Sequence, residues 1–93
     1  MKEKFKEYLK SKGYKEFTPK NLPSTVFDYC NRIDYIKWIE NYNSWNDIVI
    51  NIDKLLQEYG ESGIKEHLGK KSHSAVINAL IRFKEFLIYY DFK

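Results

Sequence analysis

Cysteine occurs once in the 93 residues, methionine once, proline twice and glycine four times. A lone Cys30 leaves no internal disulfide, which fits a reducing compartment, so the expected location is cytoplasmic. No apolar run approaches the ~20 residues that a bilayer span needs, and no membrane partner is expected. The opening Met1-Lys2-Glu3-Lys4 is basic but leads into no apolar stretch with a small-residue cleavage site, so no secretory signal is read. Metal ligands are not clustered: there is no Cys-x-x-Cys, and His67 and His73 stand apart from each other and from Cys30. Gly60, Gly63 and Gly69 are spaced as helix punctuation and not as a phosphate-binding loop. Asp47, Asp53 and Glu58 fall at no spacing that forces two carboxylates into one cleft. Cys30 sits in an apolar helical stripe, where a cysteine acts as a small buried hydrophobe and not as a nucleophile. The expectation is a non-enzyme with no catalytic residue, no metal and no cofactor.

What is present is globular: 43% hydrophobic and 31% charged residues, in a length that suits one domain spanning residues 1–93. Aromatics make up 17% and the formal charge is +3. That charge is unevenly spread. Residues 1–20 carry +4, residues 21–60 carry −3 and residues 61–93 carry +2. A contact with nucleic acid would therefore use the two ends of the sequence and not its acidic middle.

Helical periodicity dominates, and no alternating strand pattern with a tight hairpin turn occurs. The first segment, Lys2 to Lys12, places Phe5, Tyr8 and Leu9 on one face, with Gly13 as its C-terminal stop. Tyr14 to Pro23 reads as a loop. Thr25 begins a second helix with Asp28 as its capping-box partner, a Val26-Tyr29-Cys30-Ile33-Ile36 stripe and an end near Asn41. Ser44 with Asp47 caps a third helix running through Ile48, Ile52, Leu55, Leu56 and Tyr59 to Gly60. Ile64 and Leu68 can pin one short turn. A last helix starts at Ser72 or Ser74 and buries Val76, Ala79, Leu80, Phe83, Leu87 and Tyr90. The fold class expected is all-α, a bundle of four to five helices.

The block Lys70-Lys71-Ser72-His73-Ser74-Ala75-Val76-Ile77-Asn78-Ala79-Leu80-Ile81-Arg82-Phe83-Lys84-Glu85-Phe86-Leu87 resembles the last helix of the SAM-like core-binding domain at the N-terminus of tyrosine recombinases, the phage-integrase family. Phe5-Lys6-Glu7-Tyr8-Leu9 followed by Gly13 is similar to that domain's first helix. Ser24-Thr25 with Tyr29, Ile33 and Ile36 is similar to its second, and Ser44-Trp45 with Ile48 to its third. The resemblance implies a compact SAM-like orthogonal bundle that clamps double-stranded DNA. It does not imply recombinase chemistry: the family's catalytic domain has no counterpart, and the residues three after His67 and His73 are Lys70 and Val76, so no His-x-x-Arg exists. The segment Phe17 to Pro23 is also longer than that module's usual connection. An integrase-like DNA-recombination module, standing alone on a phage or mobile element or cut from a longer chain, is what the resemblance implies.

In that family the starts of the second and fourth helices approach the duplex, which assigns DNA contact here to Ser24, Thr25, Lys70, Lys71, Ser72, His73 and Ser74. Hydroxyls, lysines and helix-start N–H groups suit phosphate oxygens. Asn78 and Arg82, further along the helix, reach base edges or phosphates in the same reading. With about four to six phosphate contacts, binding is expected to be weak and strongly salt-dependent. The plainer alternative is that Ser72 or Ser74 only caps a helix and the lysines are solvated. A second constellation, Tyr35, Trp38 and Tyr42 with Phe27, forms an aromatic face on the second helix. It is either buried in a central helix or offered to a protein partner, as in a small mobile-element regulator or inhibitor. Stacking on single-stranded bases is disfavoured by Asp28, Asp34 and Glu40 around that face.

Overall fold

Apolar side chains recurring three and four residues apart coil the chain into helices, and the computed structural model, which describes residues 1–90, contains six. They are α1 (Lys2–Ser11), α2 (Thr25–Ile39), α3 (Trp45–Ile50), α4 (Ile52–Tyr59), α5 (Glu66–Gly69) and α6 (Lys71–Tyr89). Among the described residues no strand occurs, only an isolated bridge between Phe17 and Pro23 inside the long loop. The protein is an all-α bundle. No described helix is long and apolar enough to cross a membrane.

α6 is the element on which the others pack, with α1, α2, α4 and α5 all laid against it. Its Val76, Ala79, Leu80, Phe83 and Phe86 are completely buried, and Leu87 nearly so. Tyr90, expected on that buried face, is 44% exposed at the helix end, and Phe86 takes the inward position instead. Phe5 of α1 meets Phe83 edge-on at 5.2 Å, and Trp45 of α3 meets Phe83 edge-on at 5.6 Å. Edge-to-face pairs of this kind are worth about 1 kcal/mol each beyond the area they bury. The Trp45 indole N–H donates to Asp34 Oδ1 at 2.7 Å, so the buried ring leaves no polar atom unmatched.

Local chemistry ends the helices where the residues predict, with instructive exceptions. After α1, Gly13 takes φ 95°; its N–H donates to the Lys10 carbonyl and that of Tyr14 to the Leu9 carbonyl, a Schellman closure. Asn41, at φ 58°, closes α2 in the same way, through Asn41 N–H to Trp38 and Tyr42 N–H to Lys37. At α3 the Ser44–Asp47 capping box forms, the Asp47 carboxylate accepting from the Asn43 and Ser44 N–H groups.

The box expected from Thr25 and Asp28 does not form. Ser24 is the N-cap, and Asp28 pairs with Arg32 one turn on. The third segment is two helices, because Asn51 Nδ2 donates to the Asp47 carbonyl and bends the chain at φ −106°, ψ 16°. That break and the separate α5 raise the count above the four to five expected. Leu68 packs against the core as expected, but Ile64 is 77% exposed and pins nothing. Gly69 is buried where α5 meets the end of α4, and a Cβ there would stand 1.9 Å from the Tyr59 carbonyl oxygen. Gly69→Ala should therefore lower stability by roughly 2–3 kcal/mol, the upper range for overpacking against backbone, read as a reduced urea midpoint at unchanged m-value.

Candidate functional site

The residues assigned to phosphate contact do not lie together. Arg82 lies beside Tyr29, and the Lys71 ammonium stands 5.0 Å from the Tyr35 ring centroid, so α2 and α6 run antiparallel. Thr25 is ten residues before Tyr35, about 15 Å along the α2 axis at 1.5 Å per residue. Ser24 and Thr25 therefore sit at one end of the bundle, and Lys70 to Ser74 at the other. The start of α2 is also occupied by its own chain: Ser24 N–H donates to the Glu16 carbonyl and Val26 N–H to the Lys15 carbonyl. Arg82 is held by Glu85 and lies close to Tyr14 and Tyr29. Asn78 is half-buried on α6.

At the other end, Lys70, Lys71, Ser72 and His73 are all exposed. The backbone here is uncommon. Ser72, His73 and Ser74 take φ 55°, 58° and 66°, three successive left-handed residues, and the right-handed helix proper begins at Ala75. Each costs about 1–2 kcal/mol for a residue with a Cβ. The Ser74 N–H donates to the Lys70 carbonyl and closes the turn. Neither Ser72 nor Ser74 makes a side-chain cap bond. Lys70 is paired with Glu66 at 3.2 Å but keeps 66% of its side chain exposed.

The turn delivers Lys71 to the aromatic face of α2, so the two sets of residues read separately in the sequence share one surface. That face is not uniform. Tyr35 and Tyr42 pack against the core margin, whereas Trp38 is 75% exposed; Phe27 belongs elsewhere, against Phe17 of the loop. The Tyr35 and Trp38 rings lie 6.4 Å apart and tilted by 36°. Lys37, Trp38, Asn41, Tyr42 and Asp34 line an open hollow of about 240 Å³. Lys37 and Lys71 have no carboxylate within ion-pair reach among the described residues.

No family model, no curated protein and no solved structure matches this chain.

The neighbouring carboxylates are committed to the fold. Asp34 accepts from Lys2 at 2.9 Å and from Trp45. Glu40, its side chain 9% exposed, accepts from the Tyr59 hydroxyl at 2.7 Å and from Lys65, which also pairs with Glu58. This cluster ties the end of α2 to α4 and to the segment leading into α5, and so fixes the end of the helix that carries Trp38. Burial alone would raise the Glu40 carboxyl; the hydrogen bonds from Lys65 and Tyr59 outweigh it and hold the group below its ordinary value. Burial and the Glu40 carboxylate both push the Tyr59 phenol upward, keeping it a neutral donor. Cys30, buried within α2, has its thiol raised to about 11 by burial, which suppresses the nucleophilic thiolate. No group of three or more His, Cys, Asp or Glu among the described residues is placed to hold a metal ion.

Lys37 and the contact between Lys71 and Tyr35 were not singled out from the sequence. Lys37 carried one local signal, an isolated cation beside the tryptophan, but the Lys71 contact depends on the pairing of α2 with α6. Because the folded Glu40 value is depressed, its contribution is fully present above the ordinary carboxylate range near pH 4.3 and is lost as pH falls through the folded value. Glu40→Gln should cost roughly 1–2 kcal/mol at pH 7. It should also flatten the acid limb of a thermal-melting series taken from pH 7 to pH 3.

Proposed function

We propose that this protein is a non-catalytic DNA-binding module that grips phosphate with Lys70, Lys71, Ser72 and His73, the exposed turn ahead of the α6 helix proper. The observation that carries the reading is the run of left-handed residues at Ser72, His73 and Ser74, which places two lysines, a hydroxyl and an imidazole together beyond the packed core. Strained backbone of this kind concentrates at functional segments. The likeness of the Lys70 to Leu87 block to a recombinase core-binding domain supports the same end of the molecule, with double-stranded DNA as the partner and SAM-like as the finer description of the bundle.

Other expected contacts receive less support. The Lys-rich first helix spends much of its charge internally, with Lys2 on Asp34 and both Lys6 and Lys10 on Glu16. Ser24, Thr25 and Arg82 lie away from the turn. The contact is therefore smaller than a two-helix clamp, and its affinity is weak and salt-sensitive.

Binding of a labelled duplex at about 50 mM salt tests this reading, since phosphate contacts weaken steeply with added salt. A Lys70→Glu, Lys71→Glu chain should lose binding, and single Lys→Ala changes should each reduce the slope of log K against log salt by about one. Absence of any wild-type binding at that salt overturns it.

One observation favours a second reading, a protein-interaction module of the regulator or inhibitor type: the 75% exposure of Trp38, a residue type common among interface anchors. In that case Trp38→Ala abolishes association with the partner at an unchanged melting temperature. Tyr42→Ala, by contrast, lowers the melting temperature because its ring packs on the core margin.

A further inference from the structure

The turn and the aromatic face meet, and their meeting defines a more particular ligand than a phosphate backbone. Trp38 presents three-quarters of its surface to solvent. The Schellman closure at Asn41 fixes the turn that carries it. Tyr35 stands 6.4 Å away with its ring held at the core margin, and the Lys71 ammonium lies over that ring at 5.0 Å. Lys37 lines the same hollow as the indole.

The hollow, at about 240 Å³, falls short of the ~300–1,000 Å³ of enclosed small-molecule sites. It is open, lined by the Trp38 indole with Lys37 and the already paired Asp34, and Lys71 stands beyond it over the neighbouring Tyr35 ring. That is the form of a site for a planar group presented from outside and attached to negative charge.

The acidic residues that argued against such a group are compensated. Asp34 is held by Lys2 and the Trp45 indole, Glu40 by Lys65 and Tyr59, and Asp28 by Arg32. Lys37 and Lys71 lack such a partner among the described residues, which leaves local positive charge beside the exposed ring.

We infer that Trp38, with Tyr35 behind it, stacks an unpaired base of a single-stranded segment whose phosphates are drawn to Lys37 and Lys71. A duplex cannot use this platform, because its bases show their faces only to one another. An exposed base has a free π-face and a flanking phosphate, and aromatic side chains beside lysines bind such segments with little regard to sequence. The inference rests on the nucleic-acid reading above and deepens it. The same protein grips phosphate of either form at the turn and adds a stacking contact that only a single strand can use.

The test compares the full chain on a labelled oligothymidylate of about fifteen nucleotides with a fully paired duplex of similar charge and no loop, by fluorescence anisotropy at about 50 mM salt. Trp38→Ala should weaken single-strand binding roughly tenfold to a hundredfold, the range for losing one stacked base. Trp38→Phe should recover most of it, and duplex affinity should not change. Circular dichroism melting serves as the fold control, since the exposed side chain contributes little to the core.

If Trp38→Ala binds the single strand as the wild type does, the stacking inference is overturned, while duplex binding lost in Lys70→Glu, Lys71→Glu leaves the phosphate reading standing. If single-strand binding persists in the double-glutamate chain but fails in Trp38→Ala, base stacking stands, while the turn as the grip and Lys71 as a phosphate contact are both overturned. If polyglutamate of equal charge displaces the oligonucleotide equally well, the site is a docking surface for acidic peptide and base stacking is overturned. If neither oligonucleotide binds the wild type, both readings fall.

Discussion

The aromatic contact among Phe5, Phe83, Phe86 and Trp45 is the constraint on which the rest of the molecule depends. It joins the first helix to the last and brings α3 against both, with ring centroids 5.2–6.0 Å apart. A chain this short has little interior, and large rings fill it with few residues. Once α6 is held by that cluster, the antiparallel placement of α2 follows from Ile33 and Ile36 burying on the same core. That placement decides which residues share a surface, and it carries Lys71 to Tyr35 and sends Ser24 to the far end.

A second constraint is electrostatic. The acidic middle of the sequence does not form an acidic surface, because most of its carboxylates are paired. Asp28, Asp34, Glu40, Asp53 and Glu58 all have a cationic neighbour within ion-pair distance. Surface pairs of this kind contribute little to stability. Their effect here is on the field, since each cancels a charge that would repel an anion. The Glu40 cluster differs because it is half-buried and hydrogen-bonded to Tyr59, so it also sets the geometry of the α2 terminus.

Features governed by a few neighbouring residues were legible in the sequence. Gly13 and Gly60 end helices, the Ser44–Asp47 box opens one, and the stripes from Phe5 to Leu9, Val26 to Ile36 and Val76 to Leu87 are the buried faces. The break at Asn51 was missed because an asparagine competing for the carbonyl four residues back looks, by spacing alone, like any polar helix position. The left-handed turn was missed for a stronger reason. Three successive positive-φ positions are not what a run of serine and histidine would nominate, since each residue with a Cβ pays for the left-handed conformation. The residues of the candidate surface were named from the sequence except Lys37, but as two rival sites. Their union is a tertiary fact, set by the pairing of α2 with α6.

The joining of Phe5 to Phe83 and Phe86 also sets the order in which this protein can be made. A ribosome that has delivered residues 1–70 has produced five of the six helices, which pack on one another only in part, because α6, the helix that most of them cover, has not emerged. The core stays incomplete around Phe5, Leu9, Ile33 and Leu55 until the α6 segment joins it. Completion of the core therefore waits on the α6 segment, and a chain stalled before Phe83 leaves Phe5 without the ring it meets edge-on.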